Sequence, residues 1–263
     1  MNHHDIDFSC TGCGRCCHDL RIPLTVAEAA AWLRRGGHVE LLCDAMPWPV
    51  EPAADDAFAA YKRARSSPAL SGTLPIRVTA MLTASHAGPC PNLRDDLRCG
   101  IYDERPLVCQ IYPAEVNPFV PLMPDGKQCP PDAWQHAPLA RHGTIVDVQT
   151  RENIARSREA SAAETPLRAR LCAALGIDVA AVANEGFAIH APPADRLLRE
   201  LSALPDPYTA PAEVADDRAT PAWTLLTNRT ATADTLRSVG SSSLLANDEA
   251  GTRCGYLGFH PAA

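Results

Sequence analysis

The sequence has no Lys/Arg-rich run, no long hydrophobic stretch and no internal repeat. With a net charge of −7 and no basic patch, it lacks the electrostatic footprint of a protein that docks on phosphates. Neither a nucleic acid nor a membrane surface is an expected partner. The most apolar run, Leu171 to Ala183, is cut by Gly176 and Asp178 and falls short of the roughly 20 residues a bilayer-spanning helix needs. The first residues, Met1 to Asp7, carry neither a basic segment nor an apolar core, so no signal peptide is expected. No Ser/His/Asp order or paired-carboxylate context calls for a hydrolase. Cysteine is too sparse for a disulfide scaffold, at 11 in 263 residues, and the count is odd. A reduced, cytoplasmic setting is expected.

What the chain does have is proline and clustered cysteine. Its 24 prolines force many turns and short elements. Four cysteines fall within eight positions, Cys10, Cys13, Cys16 and Cys17, with Gly12 and Gly14 between them. Crowded thiols become favourable when a soft metal neutralises them as thiolates. Glycine lets the backbone turn through positive φ and wrap closely round an ion. Four more cysteines follow at Cys90, Cys99, Cys109 and Cys129. The eight are the candidate metal ligands. Cys43, Cys172 and Cys254 stand apart and read as small buried hydrophobes.

Two geometries fit the eight. Cys10, Cys13 and Cys16 have the C-x2-C-x2-C spacing of three [4Fe–4S] ligands, with a remote cysteine as the fourth. Alternatively, thiolates from both blocks pair across the fold into tetrahedral zinc sites. In an extended backbone, Cys16 and Cys17 point to opposite sides and serve different ions, unless one stays a free thiol. A structural zinc contributes about 10–16 kcal/mol, against a typical net domain stability of about 5–15 kcal/mol. Loss of cooperative structure in residues 1–140 on metal removal is therefore expected. His18 and the His3-His4 pair read as loop and terminal histidines. Arg105 reads as a salt-bridge partner of Asp103 or Glu104 or as a donor to sulfur, and Tyr102 and Tyr112 as packing residues.

The fold class expected is α+β: a small irregular metal-stapled core of short strands and helices, then an α-helical C-terminal region. The boundary falls near residue 140, giving a metal-binding domain over 1–140 and a mostly helical Ala/Arg-rich region with a weakly ordered tail over 141–263. Thr25-Val-Ala-Glu28 is a capping box opening a helix over 27–35 that Gly36-Gly37 closes. Residues 44–52 hold three prolines and read as loop. A helix is expected over 53–65, a strand over 74–82 from its alternation, at most two helical turns over 106–112, and helices over 151–161, 167–175 and 194–204.

The motifs C-x2-C-G-x-C-C, C-P-x-L and C-x-I-Y-x-x-R-P-x-x-C-x-x-Y-P resemble the CxxCxxCC cysteine-cluster family of zinc- or iron-chelating proteins. Cys10, Cys13, Gly14, Cys16, Cys17, Cys90, Pro91, Leu93, Cys99, Ile101, Tyr102, Arg105, Pro106, Cys109, Tyr112 and Pro113 carry the resemblance. Gln110 stands where that family often has Arg. The resemblance implies a bound zinc or iron, with a [4Fe–4S] cluster as one form. A branch of similar cluster, the flagellin lysine N-methylases, implies an iron–sulfur enzyme as an alternative. The leading function is metal handling or a metal-built scaffold, the metal ion being the partner. A thiol redox sensor is the third reading.

Overall fold

The computed structural model describes residues 5–208, 220–246 and 254–261. The spine of the fold is one antiparallel ladder. Strand β3 (Val39–Pro47) pairs with β5 (Leu74–Ser85) from Val39↔Ala84 to Pro47↔Ile76. Period-2 alternation of Leu74, Ile76, Val78, Ala80 and Leu82 makes β5 a strand with one face in the core. The loop expected over 44–52 begins later, because β3 continues through Pro47. Of the three prolines only Pro47 lies in the strand, at its end, where a missing N–H is tolerated.

Further strands attach to the ladder's two edges. β2 (Arg21–Pro23) and β4 (Ser67–Ser71) pair with β5. On the far side of β3, β9 (Gly186–His190) runs antiparallel at Leu41–Cys43, and β8 (Val179–Val182) runs parallel at Asp44–Ala45. β10 (Thr224–Thr227) and β11 (Ser243–Leu245) extend the sheet in parallel, and β12 (Gly255–Gly258) pairs with β9. Among the described residues the sheet therefore has nine strands, taken from both sides of residue 140. A second, three-stranded sheet joins β1 (Ile6–Asp7), β6 (Pro138–Arg141) and β7 (Thr144–Ile145).

Seven helices lie among the described residues: α1 (Val26–Arg34), α2 (Ala57–Ala64), α3 (Leu107–Ile111), α4 (Val148–Ala163), α5 (Thr165–Leu175), α6 (Ala194–Ala203) and α7 (Thr230–Ser238). The mixture is α+β, as expected. Three details differ from the sequence reading. Beyond residue 141 the helices α4 to α7 are interleaved with strands β8 to β12, which the sequence reading did not name. The described part of the expected weak tail forms β10, α7, β11 and β12. The third is the core: α1 and α5 pack on the sheet with α6 against them, and Trp32, Leu41, Ile76 and Leu82 join Leu171, Leu197 and Leu225 in one buried cluster. The front half thus has a substantial apolar core of its own residues, where the crowding of thiols and prolines suggested little. His3-His4 lies outside the described residues.

Two carboxylates fix α1. Thr25 and Glu28 form the expected capping box, with Thr25 N donating to Glu28 Oε2 at 2.9 Å and Glu28 N to Thr25 Oγ1 at 3.2 Å. Glu28 Oε1 also accepts from Leu107 N at 2.7 Å, so the same side chain holds the start of α3. Both oxygens of buried Glu164 accept from Val26 N at 3.1 Å. The carboxyl of Glu164 is raised by burial, against the opposing charge of Arg168.

Asp44 stands out on β3. Burial lifts its carboxyl to about 6, and its Oδ1 has no hydrogen-bond partner. The unfolded chain releases this proton near pH 4, so the stabilising effect is full below about pH 4 and is lost as pH rises through about 6. Asp44→Asn is expected to be more stable than wild type at pH 7, by about 1–3 kcal/mol, and to lack the fall between pH 4 and 6. Urea unfolding across that range is the check; an unaltered pH profile in the variant would contradict this account.

Candidate metal centre

The cysteine loops sit on this frame through backbone bonds. Gly14, at φ +68°, reverses the chain, and Arg15–Cys17 forms a single 3₁₀ turn closed by Cys17 N to Gly14 O at 2.9 Å. His18 Nδ1 contacts Gly14 O at 3.1 Å and steadies the same turn. The turn is then sewn to the second block: Cys90 N donates to Cys17 O at 2.7 Å, Asp19 N to Gly88 O at 2.9 Å, and Gly88 N to Asp19 Oδ1 at 2.6 Å. Within block two, Gly100 N donates to Asn92 O at 2.7 Å and Leu93 bridges Cys99, which folds Cys99 back towards Cys90. Pro106 caps the start of α3, which carries Cys109.

Cys129 arrives from the other flank. Ser9 N donates to Ala133 O at 2.8 Å and β1 pairs with β6, so the chain entering Cys10 lies beside the segment after Cys129. The Tyr112 hydroxyl accepts from Gln128 N at 3.2 Å and from Cys129 Sγ at 3.7 Å. Tyr112 therefore ties the end of α3 to the Cys129 loop, a connecting role beyond the packing expected of it. Gln110 also links elements, donating to Arg105 O at 2.6 Å and accepting from Asn153 of α4 at 3.4 Å.

The sulfurs divide into two neighbourhoods. Cys17 lies within electrostatic reach of Cys90, Cys99 and Cys109. Cys129 lies within reach of Cys10, Cys13 and Cys16. The adjacent pair sits at the junction, and Cys16 also reaches Cys109. Expected separation of Cys16 and Cys17 rested on an extended backbone, which the 3₁₀ turn replaces. Successive side chains there are about 120° apart; Cys16 and Cys17 act on each other's ionisation, and Cys109 lies within electrostatic reach of both.

Crowding acts on ionisation. The Cys16 thiol is held well above the ordinary range by its hydrogen bond to Cys17 and by burial, while the same bond lowers Cys17. Burial pushes Cys109 up to about 12, with Cys90 and Cys16 adding to the rise and Arg105 opposing it. Burial also raises Cys90 and Cys129. Thiols in this state keep their protons until a cation replaces them. The donor set fits a soft metal: eight thiols, with all eleven cysteines of the chain free of disulfides. Among the described residues no three His, Cys, Asp or Glu side chains meet at ligand distance. The thiols are gathered but not closed on a point.

Arg105 departs from the expected salt bridge. Its Nε donates to Tyr102 O at 2.9 Å and its guanidinium stacks on the Tyr102 ring at 3.6 Å, whereas Glu104 pairs with Arg35. Its charge is felt by Cys16 and Cys109, so it stands beside both sulfur neighbourhoods. Cys43 and Cys172 are buried in the core, as expected, and their thiols also act on each other's ionisation, with Cys254 in reach. β3 and α5 bring them together across more than a hundred residues, a contact that no local spacing announces.

Gly14 and Gly12 make a controlled comparison. Both have positive φ, but a Cβ on Gly14 would meet Leu97 O at 3.1 Å and Leu93 Cδ1 at 3.3 Å, whereas Gly12 faces open space. Gly12→Ala is expected to cost about 1 kcal/mol from backbone strain alone, and Gly14→Ala distinctly more. Equal losses in thermal or denaturant unfolding of the two variants would contradict the close packing of the first loop on Leu93 and Leu97.

Comparison with known proteins agrees with this geometry. Residues 9–130 match the model of the CxxCxxCC family, described as a "putative zinc- or iron-chelating domain". No curated protein and no solved structure matches the chain. The matched segment holds all eight gathered cysteines, Cys10 through Cys129, and leaves out Cys172 and Cys254. Residues 9–130 are thus similar to the CxxCxxCC family, whose description as a metal chelator is in keeping with the gathered thiols.

Proposed function

We propose that the cysteine-bearing front of this protein holds two metal ions in two all-thiolate sites. Cys10, Cys13, Cys16 and Cys129 make one set, and Cys17, Cys90, Cys99 and Cys109 the other. The grouping of Cys90, Cys99 and Cys109 about Cys17, and of Cys10, Cys13 and Cys16 about Cys129, is the observation that supports this reading, with Cys109 also in reach of Cys16. Each set has four sulfurs, the number that structural zinc prefers. The metal supplies positive charge that exchanges for thiol protons and closes the loops into fixed positions. Metal handling follows as the function, with a scaffold of metal-ordered loops as its physical basis. Eleven free cysteines suit a reducing, cytoplasmic compartment.

A specific observation favours a second form of the first site. Its C-x2-C-x2-C run with Cys129 as a remote fourth thiol matches the ligand arrangement of a [4Fe–4S] cluster. Such a cluster would supply one-electron chemistry or serve an enzyme of the methyl-transfer type.

Metal analysis of the full chain purified without oxygen tests the proposal. Two zinc or iron ions per chain are expected. Cys129→Ala should lose one ion and keep the other, as should Cys99→Ala, and the double variant should lose both. Cys43→Ala should leave the content unchanged. Brown protein with inorganic sulfide would move the first set to the cluster form. A metal-free chain, or single variants that lose both ions together, would overturn the two-site division.

A further inference from the structure

Between the sheet and α5 lies a cavity of about 270 Å³. Val78, Ile177 and Trp223 form apolar walls, while Arg65, Thr165 and Arg168 bring polar groups into the same space. It is remote in the fold from the cysteine loops, which contribute nothing to its lining. The size suits a compact molecule, since sites for drug-sized ligands occupy about 300–1,000 Å³.

Its electrostatics are unresolved in an informative way. Arg65 leaves α2 with its guanidinium 5.0 Å from the Tyr61 ring centre, and its Nη1 is buried with no hydrogen-bond partner. Arg168 is buried and engaged by Ser161 and Glu164, and it feels the charge of Arg65. Two guanidinium groups in mutual reach on an apolar cavity repel each other in a low dielectric. The nearby carboxylates do not resolve this. Glu164 is held by Val26 and Arg168, and Asp178 in the lining is itself engaged. Asp44 is within electrostatic reach of Arg65, yet its Oδ1 and Arg65 Nη1 each lack a hydrogen-bond partner.

We propose that this cavity binds a small organic carboxylate with a flat apolar body, its anionic end accepting from Arg65 and its body lying against Trp223 and Ile177. A guanidinium with an unused N–H is a matched donor for a carboxylate. A single negative charge fits better than a phosphate dianion, because Glu164, Asp44 and Asp178 already surround the two arginines. The apolar walls explain why a bare inorganic anion is not the preferred occupant.

Calorimetric titration of the full, metal-loaded chain with benzoate, benzyl alcohol and inorganic phosphate tests this. Benzoate should bind at least tenfold more tightly than either of the others. Arg65→Met should weaken benzoate at least tenfold while leaving benzyl alcohol unchanged. Ala169→Leu, which fills the cavity from α5, should abolish benzoate binding at an unchanged melting temperature. Arg65 is only half-buried, so its variant remains informative if the filled cavity fails to fold. No benzoate binding, equal affinity for benzyl alcohol, tighter binding of phosphate, or wild-type affinity in Arg65→Met would each overturn the proposal.

Discussion

The β3–β5 ladder is the constraint on which the rest of this molecule depends. Nine consecutive residue pairs fix its register, and one slip would turn Leu41, Ile76 and Leu82 away from the core. Strands from the second half complete the sheet on the β3 side, so the early and late parts of the chain share one apolar interior. Removing a buried leucine from such a core typically costs about 2–5 kcal/mol. Several such residues outweigh what the cysteine loops contribute through their few backbone bonds.

The cysteine loops are therefore passengers on the frame, attached at chosen points. Glu28 is the clearest of these, since one carboxylate caps α1 and holds the first amide of α3. The turn at Cys16-Cys17 is bonded to Cys90 on one side, and Tyr112 links α3 to Cys129 on the other. The frame brings the sulfurs near one another without completing a coordination sphere. Burial and the neighbouring sulfurs raise several of these thiols, so a bound cation has to displace their protons.

Local signals in the sequence were legible where the chemistry is local. The capping box at Thr25–Glu28 and the alternation of β5 each depend on residues a few positions apart, and each reads correctly. β3 was masked by Pro47, Pro49 and Pro52, of which only the first lies in the strand. β8 was hidden inside an apolar run: Val179-Ala-Ala-Val182 is buried on both faces, as a parallel strand is, and so shows no alternation. The contact of Cys43 with Cys172, and the share of the core in the front half, arise from strand order, which no window of residues contains. The gathering of the two cysteine blocks was legible from their chemistry; the turn that sets Cys16 beside Cys17 was not.

The central claim is that the sheet stands by its apolar packing and the metal fixes only the thiol loops. Amide hydrogen exchange on the full chain, before and after metal removal under reducing conditions, tests it most directly. Amides of residues 9–20, 88–112 and 126–131 should lose protection on stripping, while those of β3 and β5 keep theirs. Simultaneous loss of protection in β3 and β5 would contradict the account and return the stability of the front half to its sulfur–metal bonds.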